Sequence, residues 1–182
     1  MNYHLVKSAA LAAAAALCCA PANAADGNPA TETGDSKVII LNPLSFLTIE
    51  DLDFGSVIVP ASGNGLVTID ALSGTPTYNN IDYVAGVANA PQRGRFIGSG
   101  SANQIVYVTT TLPTILEKAP GGPSVPVSLK LDRNPNGLGS YTYVVDPVWL
   151  TFEIGVGGTL TVPTGTEPGI YSATFDVTAT YQ

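Results

Sequence analysis

The chain has 182 residues, with 7 basic and 14 acidic side chains, a formal net charge of −7, one His and two Cys. An acidic balance disfavours nucleic acid and anionic membrane surfaces as partners, because both are gripped by basic patches. His4, Cys18 and Cys19 all stand among the first 24 residues. Once those residues are lost, Ser-His-Asp and Cys-His catalysis and imidazole or thiolate metal sites are excluded, and only carboxylate chemistry stays formally open.

Residues 1–24 read as a secretory signal peptide: a basic start at Lys7, the apolar run SAALAAAAALCCA, and a small-residue cleavage site after Ala24. The run is shorter than the roughly 20 residues that span a bilayer, and the residues before Cys18 and Cys19 make a poor lipid-anchor signal. Removal of the leader leaves 158 of the 182 residues, and takes the charge from −7 to −8 because Lys7 goes with it. That length suffices for one domain with its own core. The expected location is the periplasm in transit, then the cell surface or medium. With no cysteine remaining, stability has to come from burial and not from a disulfide.

Residues 25–36, ADGNPATETGDS, hold no large apolar side chain and read as a flexible arm before a domain spanning 37–182. KVIILNPLSFLTI follows, an apolar run broken at Asn42-Pro43, which is read either as the domain's own first strand or as a strand for donation elsewhere. DLDFGSVIVP bends at Gly55, and LVTID is a short strand. The stretch 71–80 is turn-rich and 81–87 holds a weak strand. Arg93–Ile97 and Gln104–Thr111 are clearer strands, with GSGS at 98–101 between them. Pro120-Gly-Gly-Pro123 turns the chain into PVSLKL, DRNPNGLGS turns it into YTYVVD, and VWLTFEIG is a strand with Val148, Leu150, Phe152 and Ile154 on one face and Trp149 on the other. Gly155–Gly158 is expected to be a tight turn into TLTV.

Roughly ten short strands with turn signals every eight to twelve residues, and no amphipathic helical run, make this an all-β protein. The fold class is an antiparallel sandwich or barrel, and the single polar face of the closing strands favours the sandwich. Asp132–Gly137, DRNPNG, opens like a calcium loop, but Tyr143 stands at its twelfth position and Pro135 lies inside, so a hairpin turn is expected and no metal. Glu50, Asp51 and Asp53 read as solvated acids, GSGS is no nucleophile elbow without a His, and Arg93 and Arg95 are an exposed basic pair. No cofactor is expected.

From Tyr171 the chain alternates strictly: Tyr171, Ala173, Phe175, Val177, Ala179 and Tyr181 against Ser172, Thr174, Asp176, Thr178 and Thr180. Tyr181 is penultimate and Gly169 is fourteenth from the end, a spacing that resembles the closing strand of chaperone-usher pilus subunits. DLDFGSVIVP with GNGLVTID, FEIGVGGTLTVP and PGIYSATFDVTATY resemble the pilin-like secreted bacterial family known as domain of unknown function 4402. That family is similar to spore-coat-U-type subunits of archaic pili.

The resemblance implies an immunoglobulin-like sandwich lacking its last strand. Its groove would be lined by Gly169, Tyr171, Phe175, Val177, Ala179 and Tyr181, and filled by a donor strand from another subunit. A periplasmic chaperone and an usher are the further partners it implies, and there is no enzymatic activity. The donor within this chain would be Lys37–Phe46, with Val38, Ile40, Leu44 and Phe46 in phase and Asn42 interrupting. The alternative is a self-complete secreted binding module or adhesin. Trp149, Tyr141 and Tyr143 would then form a platform for carbohydrate or another surface ligand.

Overall fold

Twelve strands and no helix are formed by the residues the computed structural model describes, 37–87, 90–133 and 140–182. The leader 1–24, the arm 25–36 and part of the Asp132–Gly137 loop lie outside them. Ile40–Gln182 is one compact unit; Lys37–Ile39 belong to a separate one and are exposed.

The strands in order are β1 (Ser45–Glu50), β2 (Val57–Ile58), β3 (Asn64–Ile69), β4 (Pro76–Asn79), β5 (Asp82–Tyr83) and β6 (Gly94–Ser99). They continue with β7 (Ile105–Thr111), β8 (Ile115–Glu117), β9 (Ser124–Leu131), β10 (Tyr141–Val144), β11 (Thr151–Pro163) and β12 (Asp176–Tyr181). All pair antiparallel. The larger sheet runs β1-β6-β11-β3-β4, with β9 on the opposite edge of β11 and β8 beyond β9. A three-stranded sheet, β10-β7-β12, and the small β2-β5 pair complete the fold.

β11 organises the larger sheet. Its first half pairs with β6, from Thr151 opposite Ser99 to Val156 opposite Gly94, and its second half with β3, from Gly158 opposite Ile69 to Pro163 opposite Asn64. β9 covers the other edge from Val156 to Leu160. The side chains Phe152, Ile154, Val156, Leu160 and Val162 are all buried and, at even spacing, share one face. They feed two core clusters. In the first, Phe96, Phe152, Ile154 and Val156 meet Val106, Val108 and Tyr143 from the three-stranded sheet, which is the sandwich core. In the second, Leu160 and Val162 meet Phe54, Val67, Ile69, Val125 and Val127, with Val57 of the small β2-β5 pair and irregular chain around Leu52 and Tyr171 packed against them.

Several local expectations change. Gly155–Gly158 is not a turn, because β11 runs through it. These glycines let neighbouring backbones close in: a Cβ at Gly155 would lie 2.1 Å from the Ala71 carbonyl oxygen, and one at Gly157 2.3 Å from that of Ile69. The turn-rich stretch 71–80 contains β4. Residues 147–149 form a turn, with β11 starting at Thr151, so Trp149 and Val148 are not strand residues and have no sheet face.

Candidate functional site

The edge arrangement of β12 defines the site. Asp176–Tyr181 pairs with β7 in the register Asp176–Thr111 to Tyr181–Val106, and β10 takes the other side of β7. Among the described residues no strand pairs with the outer edge of β12. Alternation sends Phe175, Val177, Ala179 and Tyr181 onto the first core cluster, where they are half-buried, while Asp176, Thr178 and Thr180 are exposed. The Phe175 and Phe96 rings meet edge to face, with centroids 5.9 Å apart. The strand is shorter than its alternating sequence. Ser172 instead exchanges two backbone hydrogen bonds with Glu117, at 3.0 and 2.9 Å, and strand geometry resumes at Asp176.

Two hollows adjoin these residues, one between the start of β1 and β12, the other between the chain leading from β1 and the chain leading into β12. A small one, about 60 Å³, is lined by Leu44, Ser45, Phe46, Phe152 and Ala179. The other is an apolar groove of about 690 Å³ that includes Phe175 in its lining, with Phe54, Leu116, Leu160, Val162 and Ile170 in its wall and Asp53 and Glu167 among its polar residues. Gly169 and Tyr171 line this groove. The stem of Lys118 lies over Gly169, where a Cβ would come within 2.5 Å of Cε, and the Lys118 ammonium pairs with Glu167. The Tyr171 hydroxyl donates to the Glu167 carbonyl at 2.7 Å. Six predicted groove residues therefore divide between two places: Gly169 and Tyr171 at the large groove, Val177, Ala179 and Tyr181 along the β12 edge, with Phe175 joining them.

The four donor candidates are also divided. Leu44 packs on the first core cluster, and Phe46 sits edge to face against Phe96 and Phe152, at 6.1 and 6.4 Å, on a strand paired with β6. Both thus serve their own sandwich. Val38 and Ile40 are 79% and 88% exposed. The break falls at Asn42-Pro43: Asn42 N–H donates to Ser101 Oγ at 2.6 Å, and its carbonyl accepts the Tyr181 hydroxyl at 2.7 Å.

The aromatic platform is not assembled. Tyr143 is buried, its hydroxyl donating to Asp132 Oδ1 at 2.6 Å, and burial with that hydrogen bond raises its pKa well above the ordinary tyrosine range. Tyr141 is half-buried, so only Trp149 of the three is fully open to solvent. Arg93 and Arg95, expected as an exposed basic pair, are partly buried and both bind Glu153, at 2.6 and 2.8 Å. Hydrogen bonding from Arg95, then the charges of both arginines, holds the Glu153 carboxyl below its usual range. Sequence reasoning missed Phe54, Leu116 and Ile170 as groove residues. Each belongs to a segment whose neighbours are distant in the chain, so only the Phe54 bend at Gly55 was a local signal.

Among the described residues no group of three or more His, Cys, Asp or Glu is placed to hold a metal ion, and no helix is long and apolar enough to cross a membrane. A family model described as domain of unknown function (DUF4402) matches residues 44–181. Neither the curated proteins nor the solved structures give a match.

Proposed function

The chain belongs to the DUF4402 family, and from that premise we propose that it is an exported, non-enzymatic structural subunit of a pilus-like surface fibre, assembled by strand donation. The observation that carries the reading is the outer edge of β12, which offers unpaired backbone beside a half-buried apolar row and a hollow next to Ala179. An extended segment added there would gain main-chain hydrogen bonds and seat alternate side chains. In this reading the sandwich is immunoglobulin-like and incomplete, and the pilin-like resemblance of its closing strand has a physical basis.

The donor within this chain is the exposed stretch around Val38 and Ile40, shortened from Lys37–Phe46 because Leu44 and Phe46 already serve their own domain. Burying a large aliphatic side chain stabilises by about 1.5–3 kcal/mol, so Val38 and Ile40 together supply a useful anchor. Donation from one copy to the next is a contact that does not close, which yields a filament. Until that contact forms, the bare edge invites aggregation, so a periplasmic chaperone and an usher are the natural partners in export. A self-complete module binding carbohydrate through Trp149 has the exposed indole in its favour, but lacks the Tyr143 half of its platform.

Assembled material run on a denaturing gel without boiling should give a ladder that collapses to monomer on heating. Ile40→Asp should abolish it. A monomer band alone from unboiled assembled material rejects strand donation.

A further inference from the structure

β12 and the chain entering β1 approach each other across a seam of the sandwich, and that seam is uneven. At Tyr181 it is shut. The Tyr181 hydroxyl bonds both the Asn42 carbonyl and Ser101 N–H, and Asn42 N–H donates to Ser101 Oγ, so the two sides are clasped directly. Gly100 lets them close up, since a Cβ there would stand 2.8 Å from the Tyr181 hydroxyl oxygen and 2.9 Å from Leu44 Cδ2. Two residues earlier the seam is open. Ala179 is the smallest side chain of the row Phe175, Val177, Ala179 and Tyr181, and the hollow of about 60 Å³ lies between it and Leu44, Ser45 and Phe46.

The same clasp bounds both the donor and the acceptor. Asn42 is held by it, which leaves residues 37–41 ahead of it, with Val38, Ile39 and Ile40 79%, 66% and 88% exposed. On β12 the residues before Tyr181 are 176–180. Both stretches are five residues long. Residues directly opposite each other in a sheet point to the same side, so Val38 and Ile40 face the core only when opposite odd-numbered residues of β12. Every strand pair in this fold is antiparallel, the more stable arrangement per residue. Of the antiparallel registers, Val38 opposite Tyr181 sets a side chain against the clasp, and Val38 opposite Val177 leaves the hollow empty. Val38 opposite Ala179 fills the hollow, seats Ile40 beside Val177, and ends with Lys37 opposite Thr180, just short of the clasp. We infer that the Tyr181–Asn42 clasp is the stop that sets the register of strand donation, with residues 37–41 of a second copy lying antiparallel along 176–180. The inference rests on the fibre reading for the identity of that segment.

Cys18 and Cys19 are the only cysteines in the chain. With both replaced by alanine, an introduced pair reports the register without background. The full chain is exported, assembled, oxidised, and run boiled without reductant. Lys37→Cys with Thr180→Cys should give a ladder that survives boiling and collapses on reduction. Ile39→Cys with Thr180→Cys should give none, because those residues are diagonal neighbours about 7–8 Å apart, beyond the reach of a disulfide. That second pair should cross-link only when Tyr181→Phe opens the clasp and lets the donor slip by two residues. Lys37, Ile39 and Thr180 are all exposed, so these cysteines leave the core alone.

A boiling-resistant ladder from Ile39→Cys with Thr180→Cys in a chain that keeps Tyr181 overturns the register. So does one from Lys37→Cys with Asp176→Cys, which would assign a parallel donor. Cross-links unchanged by Tyr181→Phe overturn the clasp as the stop. The unboiled gel separates the two ideas. No ladder from unboiled parent material rejects strand donation itself, whereas a parent ladder with no cross-link between positions 37 and 180 rejects the register alone.

Discussion

The Tyr181 hydroxyl donates to the Asn42 carbonyl and accepts from Ser101 N–H, both at 2.7 Å, so one side chain near the end of β12 ties down the approach to β1. Tyr181→Phe keeps the ring and removes both bonds. The expected loss is about 1–2 kcal/mol, seen as a fall of roughly 2–8 °C in thermal midpoint for a domain of this size. An unchanged midpoint would mean that Asn42 and Ser101 satisfy each other without the tyrosine.

Gly157→Ala places a methyl 2.3 Å from the Ile69 carbonyl oxygen and 2.6 Å from Ala71 N. Neither is a flexible side-chain end, so β3 must move away from β11. A loss of about 3 kcal/mol or more is expected, measured by denaturant unfolding. A loss under about 0.5 kcal/mol, the range of an ordinary surface substitution, would show that the sheet can open there freely.

Leu150→Asn substitutes a residue that tolerates positive φ. It should relieve about 1 kcal/mol or more of backbone strain, seen as a higher thermal midpoint. A lower midpoint would mean that the packing of Leu150 outweighs its strain.

Glu153 has its carboxyl pKa depressed in the folded protein, first by hydrogen bonding from Arg95. Its contribution to stability is therefore present above the unfolded carboxylate value near about 4.3 and is lost as pH falls through the lower folded value. The pair is partly exposed, which limits the effect to about 1 kcal/mol or less. Glu153→Gln should be less stable than the parent at pH 7, and the two stability curves should converge under acid. A gap that persists there would assign the effect to packing.

What the sequence made legible follows from how local each signal is. The alternation Phe175-Val177-Ala179-Tyr181 is a property of one segment and reappears as the half-buried face of β12. The same logic extended the strand pattern of Phe152 and Ile154 backward to Val148 and Trp149, although Asp146-Pro147 already announced a turn. Gly155–Gly158 resembled a turn because glycine serves both bends and close backbone approach, and only the position of Ala71 decides between them. Pro43 marked where Lys37–Phe46 divides, but the allegiance of Leu44 and Phe46 depends on Phe96 and Phe152, far along the chain. The groove was illegible for the same reason: Phe54, Leu116, Leu160 and Ile170 meet only once the sheets are in place.

The central position of β11 also bears on the order in which the chain takes shape. Its partners β3, β6 and β9 all precede it in sequence, so none of them can complete the larger sheet until Thr151–Pro163 has emerged. Non-local pairing of this kind closes slowly. A polypeptide whose main sheet waits for its last third keeps β3, β6 and β9 without their central partner for most of its synthesis.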